Sequence, residues 1–496
     1  MLSYPAKEVF LSTAREGQYV PFAARLAADV TPRALYGRLR SAGEVSFLLE
    51  SSRTHPETGR WSVIAVQPFA RFQARGRSVR IDRDGGYEMR DADPFEALRE
   101  LLRERPVLRL DCPLPFVGGS VGLFAYELKN QIEEAVLPVW DPYGIPDMDL
   151  GFFDGAVVFD HVSGEAFVCA LERVGKDLEA SFREGAARIA ARLEAVSAAA
   201  GRAAAVPAFA HCGPVDLESN RQGFTRGVAR VKAAIRAGDV FQTNLSHCLE
   251  FDCEGDGFAL YLRGAEINPT SFGAFADFGS YAIACGSPER LVRLENGAVT
   301  TRPIAGTRPR FSDPAPDAES RRDLFLSPKE RAEHIMLVDL ERNDLGRVCR
   351  YGSVEVNEMM VLESYSHVHH IVSSVRGQLD PEKDAVDLLK SVFPGGTITG
   401  APKVRVMQLI DELEGRARGP YTGSIGFIGF DGNCDLNIVI RSLLIKNGRA
   451  YLGVGSGVVA DSDAEREYEE TLHKAKALLQ AVGRSPRVAR EVAAHT

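Results

Sequence analysis

Between Tyr421 and Ala460 the chain is a series of short apolar runs broken by tight turns: YTGSIGFIGFDGNCDLNIVIRSLLIKNGRAYLGVGSGVVA. Asp431-Gly432 and Asn447-Gly448 are dipeptides suited to the left-handed backbone of two-residue hairpins. Strands joined so closely pair antiparallel, because a parallel pair needs a crossover of a dozen residues or more. The same pattern recurs in GSYAIACGSPERLVRLENGAVTTRPIAG (279–306). It recurs again in the first half, in FLLESS (47–52), RWSVIAV (60–66), ARFQARGRSVRI (70–81), GSVGLFAY (119–126) and GAVVFDHVSGEAFVCAL (155–171). Amphipathic segments at 93–104, 176–196, 224–238, 328–345, 385–392, 403–414 and 464–482 supply helices to cover the sheets. Hairpins in clusters, rather than strands alternating with helices, predict an α+β fold.

A chain of 496 residues is about twice the length at which one core stops growing. VSAAAGRAAAVPAFAHCGP (196–214) is poor in charge and rich in Ala, Gly and Pro, and reads as a linker. It separates an N-terminal region, 1–210, from a second region, 215–485. A net charge of −9 argues against a nucleic-acid partner, since phosphate backbones select basic faces. The eight cysteines show no CxxC or CxxH spacing, which suggests neither a zinc site nor a disulfide framework and fits a reducing cytoplasm. No secretory leader and no membrane-spanning run is expected.

Several segments carry chemistry. SPKERAEHIMLVDLERNDLG (327–346) opens as a capping box, Ser327 with Glu330, and has Pro328 at the first helical position. Glu333 follows one turn in. DSDAEREYEETLHKAKALL (461–479) is a second capped helix, with Glu467, Glu470 and Lys474 on one face. Acidic residues favour helix starts, and Glu470 with Lys474 also makes an ordinary i,i+4 pair. Carboxylates from two helices would nevertheless suit magnesium, which takes one or two carboxylates and keeps waters. FPGGTITGAPK (393–403) lacks the Lys-Ser/Thr of a phosphate-binding loop, having Ala401-Pro402 there, which counts against an NTPase. GVGSGVVADSD (453–463) puts Gly453, Gly455 and Gly457 at alternate strand positions, where a ligand or backbone can approach closely. HVHHIVSSVRG (367–377) places His367 and His369 on one strand face and His370 on the other, a pattern more common for hydrogen-bonded core histidines than for metal ligands. TRPIAGTRPR (301–310) gathers Arg302, Arg308 and Arg310 around a small apolar residue, Ala305.

The order of these segments resembles the chorismate-utilising enzymes. CGSPERL, RPIAGTRPR, SPKERAEHIMLVDLERNDLGRV, YSHVHHIVSSV, FPGGTITGAPK, GPYTGSIGF, DLNIVIRS, GVGSGVVADSD and EYEETLHKAKALL follow one another through roughly 240–480. FLLESS and GRWSVIAVQP resemble the N-terminal half of the large subunits of anthranilate synthase and aminodeoxychorismate synthase. The resemblance implies a large composite of antiparallel sheets packed face to face and covered by helices. It implies that Mg²⁺ is held by Glu333 and Glu467 with Glu470 close by. It implies that Tyr421, Arg441, Lys474 and the Gly455–Gly457 backbone bind the enolpyruvyl carboxylate of chorismate. Glu289 matches the general acid, and His370 and Thr397 match residues beside the ring. The arginines of 301–310 are expected to brace a strand and turn rather than to touch substrate.

Gln242 stands where the water-adding members carry a lysine base, so the resemblance implies ammonia as the nucleophile. No cysteine sits in a glutaminase elbow, so a glutamine amidotransferase subunit is the implied ammonia donor. Ala305 matches anthranilate synthases, while many aminodeoxychorismate synthases carry a nucleophilic lysine there. VFQTNLS, PGGTITGAPK, DLNIVIRS and FAYELKNQIE lean toward the aminodeoxychorismate group. On balance the segments favour aminodeoxychorismate synthase component I, with anthranilate synthase component I as the alternative. Leu49, Glu50, Ser51, Asn268 and Pro269 fall where feedback-inhibited members build an effector pocket, although NPTSFGAF departs from that pattern.

Overall fold

The computed structural model describes residues 2–52, 58–133, 139–203, 211–364 and 368–483. Two twelve-stranded sheets form its frame. Every strand pairing within them is antiparallel, as the tight turns require. Both sheets draw strands from both halves of the sequence. In the first, Ser46–Glu50 lies beside Phe272–Asp277, with Leu48 opposite Phe275. In the second, Gly119–Phe124 lies beside Ser424–Gly429, with Gly122 opposite Gly426. That last crossing is tight: a Cβ on Gly119 would sit 2.3 Å from the Ile428 carbonyl.

Alternation along the strands sorts side chains into two cores. Phe47, Val63, Val158 and Ala276 of the first sheet point inward, onto Phe72, Val121, Leu150, Ile425 and Leu436 of the second. Leu48, Ile64, Val157 and Phe275 point outward, beneath helices that contribute Tyr36, Phe224, Val228, Val406 and Tyr468. The first sheet is therefore buried on both faces, which explains its nearly continuous apolar strands. At about 25 cal/mol per Å², each such side chain contributes roughly 1.5–3 kcal/mol on burial. No helix among the described residues is long and apolar enough to cross a membrane.

The expected linker is part helix: Leu178–Ala200 runs through its first five residues. Residues 204–210 lie outside the described residues, and Cys212 then bridges to Cys253, their thiols 3.0 Å apart. Helices at Lys7–Thr13, Pro32–Leu39, Gly257–Ile267 and Pro314–Leu326 add to those expected from the sequence.

Candidate active site

The strand Gln242–Asp252 pairs with Arg449–Val458, which puts Asn244 opposite Gly457 and Ser246 opposite Gly455. The glycines are required by crowding. A Cβ on Gly457 would stand 2.8 Å from Gln242 Nε2, one on Gly455 would stand 2.7 Å from Asn244 Oδ1, and one on Gly453 would meet the Tyr421 ring at 2.3 Å. The glycine stripe thus seats Gln242, Asn244 and Tyr421 against the strand.

The helix Pro328–Gly346 brings Glu333 to the same place. Its N-cap Ser327 accepts the Glu330 N–H. The Glu330 carboxylate does not close the box in return; it pairs with Arg308 at 3.1 Å. Gln242 Nε2 donates to Glu333 Oε1 at 2.7 Å. The amide oxygen of Gln242 is buried and has no hydrogen-bond partner among the described residues.

Glu289 lies in the turn between Tyr281–Ser287 and Arg290–Glu295. Burial pushes its carboxyl up to about 7, against the opposing pull of the Thr397 hydroxyl, the Ile304 amide, Arg441 and Lys474. Glu289 Oε1 and Thr397 Oγ1 are both buried and make no hydrogen bond among the described residues. A buried carboxyl poised near neutrality is suited to proton transfer.

His370 is on the strand Val368–Gln378, opposite Thr307 across a bulge. Its Nδ1 is 3.0 Å from the Gly306 carbonyl, which can only accept; Nδ1 therefore carries the proton and Nε2 has its lone pair. Burial lowers its pKa to about 4, so the ring is neutral at pH 7. Ala305, opposite Ile371 on the neighbouring strand, is buried. His369 faces away and bonds Asp317 and Ser364; His367 lies outside the described residues.

Arg441 occupies a bend with φ of 51°, between Cys434–Asn437 and Ser442–Lys446. Burial weakens its hold on a proton and Glu289 strengthens it. Among the described residues its guanidinium has no ion pair within 4 Å. Lys474 donates to the Gly455 carbonyl at 3.1 Å and pairs with Glu470 at 2.8 Å.

The metal set expected from the sequence is only partly assembled. Glu467 is buried in the first turn of Ala464–Ala481, while Glu470 is exposed and committed to Lys474. Among the described residues no three of His, Cys, Asp and Glu gather into a metal-holding group. Glu333, beside Gln242, and the buried Glu467 carry the oxygen ligands that a hard divalent cation takes, and they are the residues that would hold one.

Arg302 is held by Glu358 at 2.7 Å and Glu363 at 2.6 Å, so it braces the strand Glu355–Ser364, as expected for this arginine cluster. Sequence reasoning missed Arg418. Buried, it pairs with Glu414 at 2.6 Å and donates to the Asn244 and Ile398 carbonyls, tying the strand of Gln242 to the turn of Thr397. An arginine four residues after a glutamate, just beyond a helix end, was the available signal.

Of the effector residues, Leu49, Glu50 and Ser51 line a cavity of about 480 Å³ with Ser271, Arg290 and Arg302. Glu50 there accepts from Arg33 and Tyr261 at 2.8 and 2.6 Å. Asn268 lines a separate small pocket with Arg441 and Lys474, and Pro269 is exposed.

Residues 45–480 match the family model of chorismate binding enzymes. The chain belongs to that family. It is 36% identical over 486 residues to anthranilate synthase component 1 of Acetivibrio thermocellus, covering 97% of this chain and 98% of that protein. It is 38% identical over 503 residues to anthranilate synthase component 1 of Synechocystis sp., covering 96% and 99%. Among solved structures it resembles anthranilate synthase component I from Streptococcus pneumoniae TIGR4, with a TM-score of 0.73, 32% identity and coverage of 92% and 98%. The α+β fold and the chorismate-binding family inferred from the motifs both hold.

Proposed function

We propose that this chain is an anthranilate synthase component I, which aminates chorismate at C2 and then eliminates pyruvate. The balance is chorismate plus ammonia to anthranilate, pyruvate and water. The observation that carries this reading is Ala305, small and buried on the strand beside His370, where an aminating lysine would otherwise stand. Relatives matched over nearly the whole chain bear the anthranilate synthase name, and they support the alternative better than 4-amination. Two of the segments that favoured 4-amination have structural duties instead. Asn244 donates to the Thr397 carbonyl, and Asn437 bonds the Ile425 amide and Phe272 carbonyl.

Arg441 takes the enolpyruvyl carboxylate by paired N–H donors, assisted by the glycine strand, Tyr421 and Lys474. Glu333 and Glu467 would hold Mg²⁺, which neutralises the ring carboxylate and favours loss of the 4-hydroxyl when bound. Glu289, protonated below about pH 7, gives its proton to that departing hydroxyl, which leaves as water. The Thr397 hydroxyl opposes the rise of the Glu289 pKa. The unprotonated Nε2 of His370 accepts the C2 proton as pyruvate is expelled. Gln242 cannot act as a base toward water, which leaves ammonia as the nucleophile.

The amidotransferase reading has support in the thiols. All eight cysteines are buried, and burial raises the pKa of Cys112, Cys169, Cys248, Cys253, Cys285, Cys349 and Cys434. A glutaminase nucleophile needs the opposite environment. Ammonia from glutamine would then come from a separate subunit. The chain given chorismate, Mg²⁺ and ammonium tests the proposal: fluorescent anthranilate with equimolar pyruvate is expected. Accumulation of 4-amino-4-deoxychorismate, without pyruvate, would refute it.

A further inference from the structure

The turn that carries Tyr421, GRARGPYTG (415–423), follows the helix Lys403–Glu414 and leads into the strand Ser424–Gly429. Three glycines and a proline leave it little to hold itself with. Within it the Tyr421 N–H reaches the Arg418 carbonyl at 3.3 Å and the Gly423 N–H reaches the Pro420 carbonyl at 3.0 Å. Three further holds come from the N-terminal region. The Trp140 carbonyl accepts the Ala417 N–H at 2.8 Å, and the Tyr126 N–H donates to the Gly419 carbonyl at 2.8 Å. The third is Glu127, in the 3-10 helix Tyr126–Gln131, just beyond the strand Gly119–Phe124. Its Oε1 accepts the Arg418 N–H at 2.8 Å and its Oε2 accepts the Gly419 N–H at 2.9 Å. Gly419 has φ of 61°, and a Cβ there would meet the Tyr143 ring at 2.7 Å. No step above uses Glu127.

We propose that Glu127 is a positioning residue: it holds the turn from Arg418 to Tyr421, and with it the Tyr421 ring, against the glycine strand. Backbone N–H groups can only donate, so two successive ones converging on one side chain require an acceptor at each of its ends. A carboxylate provides both; an amide provides one. Among the described residues Glu127 makes no ion pair, because Lys129 beside it is engaged by Asp411 at 2.9 Å. The turn therefore supplies the polar partners of this carboxyl, and the carboxyl supplies those of the turn. Two residues further on, the Tyr421 ring packs where a Cβ on Gly453 would stand 2.3 Å from it. The N-terminal region thus reaches the proposed carboxylate subsite through Glu127. The kinetic consequence rests on Tyr421 lying in that subsite, as proposed above; the seating of the turn does not.

Calorimetry and kinetics of the full chain with chorismate at pH 8 test the role. Burial pushes the Glu127 carboxyl up to about 7, so at pH 8 it is ionised and both oxygens accept. Glu127→Gln turns an N–H₂ toward one backbone N–H. It is expected to raise KM and the chorismate Kd about tenfold with kcat within twofold, because contact is lost equally in the ground and transition states. Val79→Ala, a cavity in the same region, is expected to lower the melting temperature without moving KM. In a Tyr421→Ala background Glu127→Gln is expected to add nothing further to KM, since the two act as one unit. If Glu127→Gln does not fold, Glu127→Asp, one methylene short of the turn, is read in the same way. Hydrogen exchange reports the seating alone: peptides across 417–422 should exchange faster in the variant. Unchanged exchange there, an unmoved KM, or a full tenfold effect added to Tyr421→Ala would overturn the proposal. Formation of 4-amino-4-deoxychorismate would refute the function proposed above and leave these readouts in place, since both reactions bind the same acid.

Discussion

Arg302 and Arg441 are both withdrawn from bulk water near the candidate site, and the fold treats them oppositely. Arg302 is enclosed by two carboxylates, Glu358 and Glu363, and its charge is spent inside the protein. Arg441 sits in a strained left-handed bend with no carboxylate partner among the described residues, facing a carboxyl that burial keeps near neutrality. A desolvated cation without a partner costs stability unless something else supplies the anion. Among the described residues Arg302, Arg290, Arg416 and Arg418 are balanced by acids and Arg441 is not, which fits the proposal that Arg441 meets a carboxylate of the substrate.

Substitutions can break that contrast. Arg441→Ala is expected to lower kcat/KM about a thousandfold, ~4 kcal/mol, with the melting temperature unchanged or raised, because a buried charge is removed. Steady-state kinetics beside thermal melts check this. Glu467→Gln is expected to lower kcat by two to three orders of magnitude, roughly 3–4 kcal/mol, with the rate titrating at higher magnesium concentration. A rate equal to wild type would remove Glu467 from the metal set. Glu289→Gln should cost about a hundredfold in kcat. In the wild type kcat should fall as pH rises through about 7, since Glu289 is protonated below that value and ionised above it. A profile flat from pH 6 to 8 would remove Glu289 as the acid. Arg302→Ala should instead destabilise by about 2 kcal/mol in denaturant unfolding, less than a fully buried pair because Glu358 is 36% exposed. The surviving folded enzyme should keep its KM. Thr397→Val should move the alkaline fall in kcat to higher pH, because the Thr397 hydroxyl lowers the Glu289 pKa.

How much of this was legible in the sequence follows from the range of the interactions. Hairpins closed by Asp431-Gly432 and Asn447-Gly448 were readable because the turn residues are local. So were the helices beginning at Pro328 and Ala464, with their Ser and Asp caps. The joining of Ser46–Glu50 to Phe272–Asp277 spans more than two hundred residues and left no local mark. Gly257–Ile267 hid because it is apolar nearly all round, and Pro314–Leu326 because its apolar residues follow no helical stripe, although Asp313 capping Ala315 ahead of Pro314 was a usable signal. The motif order pointed to Gln242, Glu289, Glu333, His370 and Arg441, which remain proposals for the site. Glu470, expected close to the metal, pairs with Lys474 at i,i+4. The motifs missed Arg418, whose partners come from strands and turns distant in sequence.

The most direct test of the contrast is titration calorimetry of chorismate into the magnesium-loaded chain without ammonia, comparing Arg441→Ala with Arg302→Ala. The account predicts that Arg441→Ala loses saturable binding while folded Arg302→Ala binds as the wild type does. Intact binding in Arg441→Ala, or its loss only in Arg302→Ala, would contradict it.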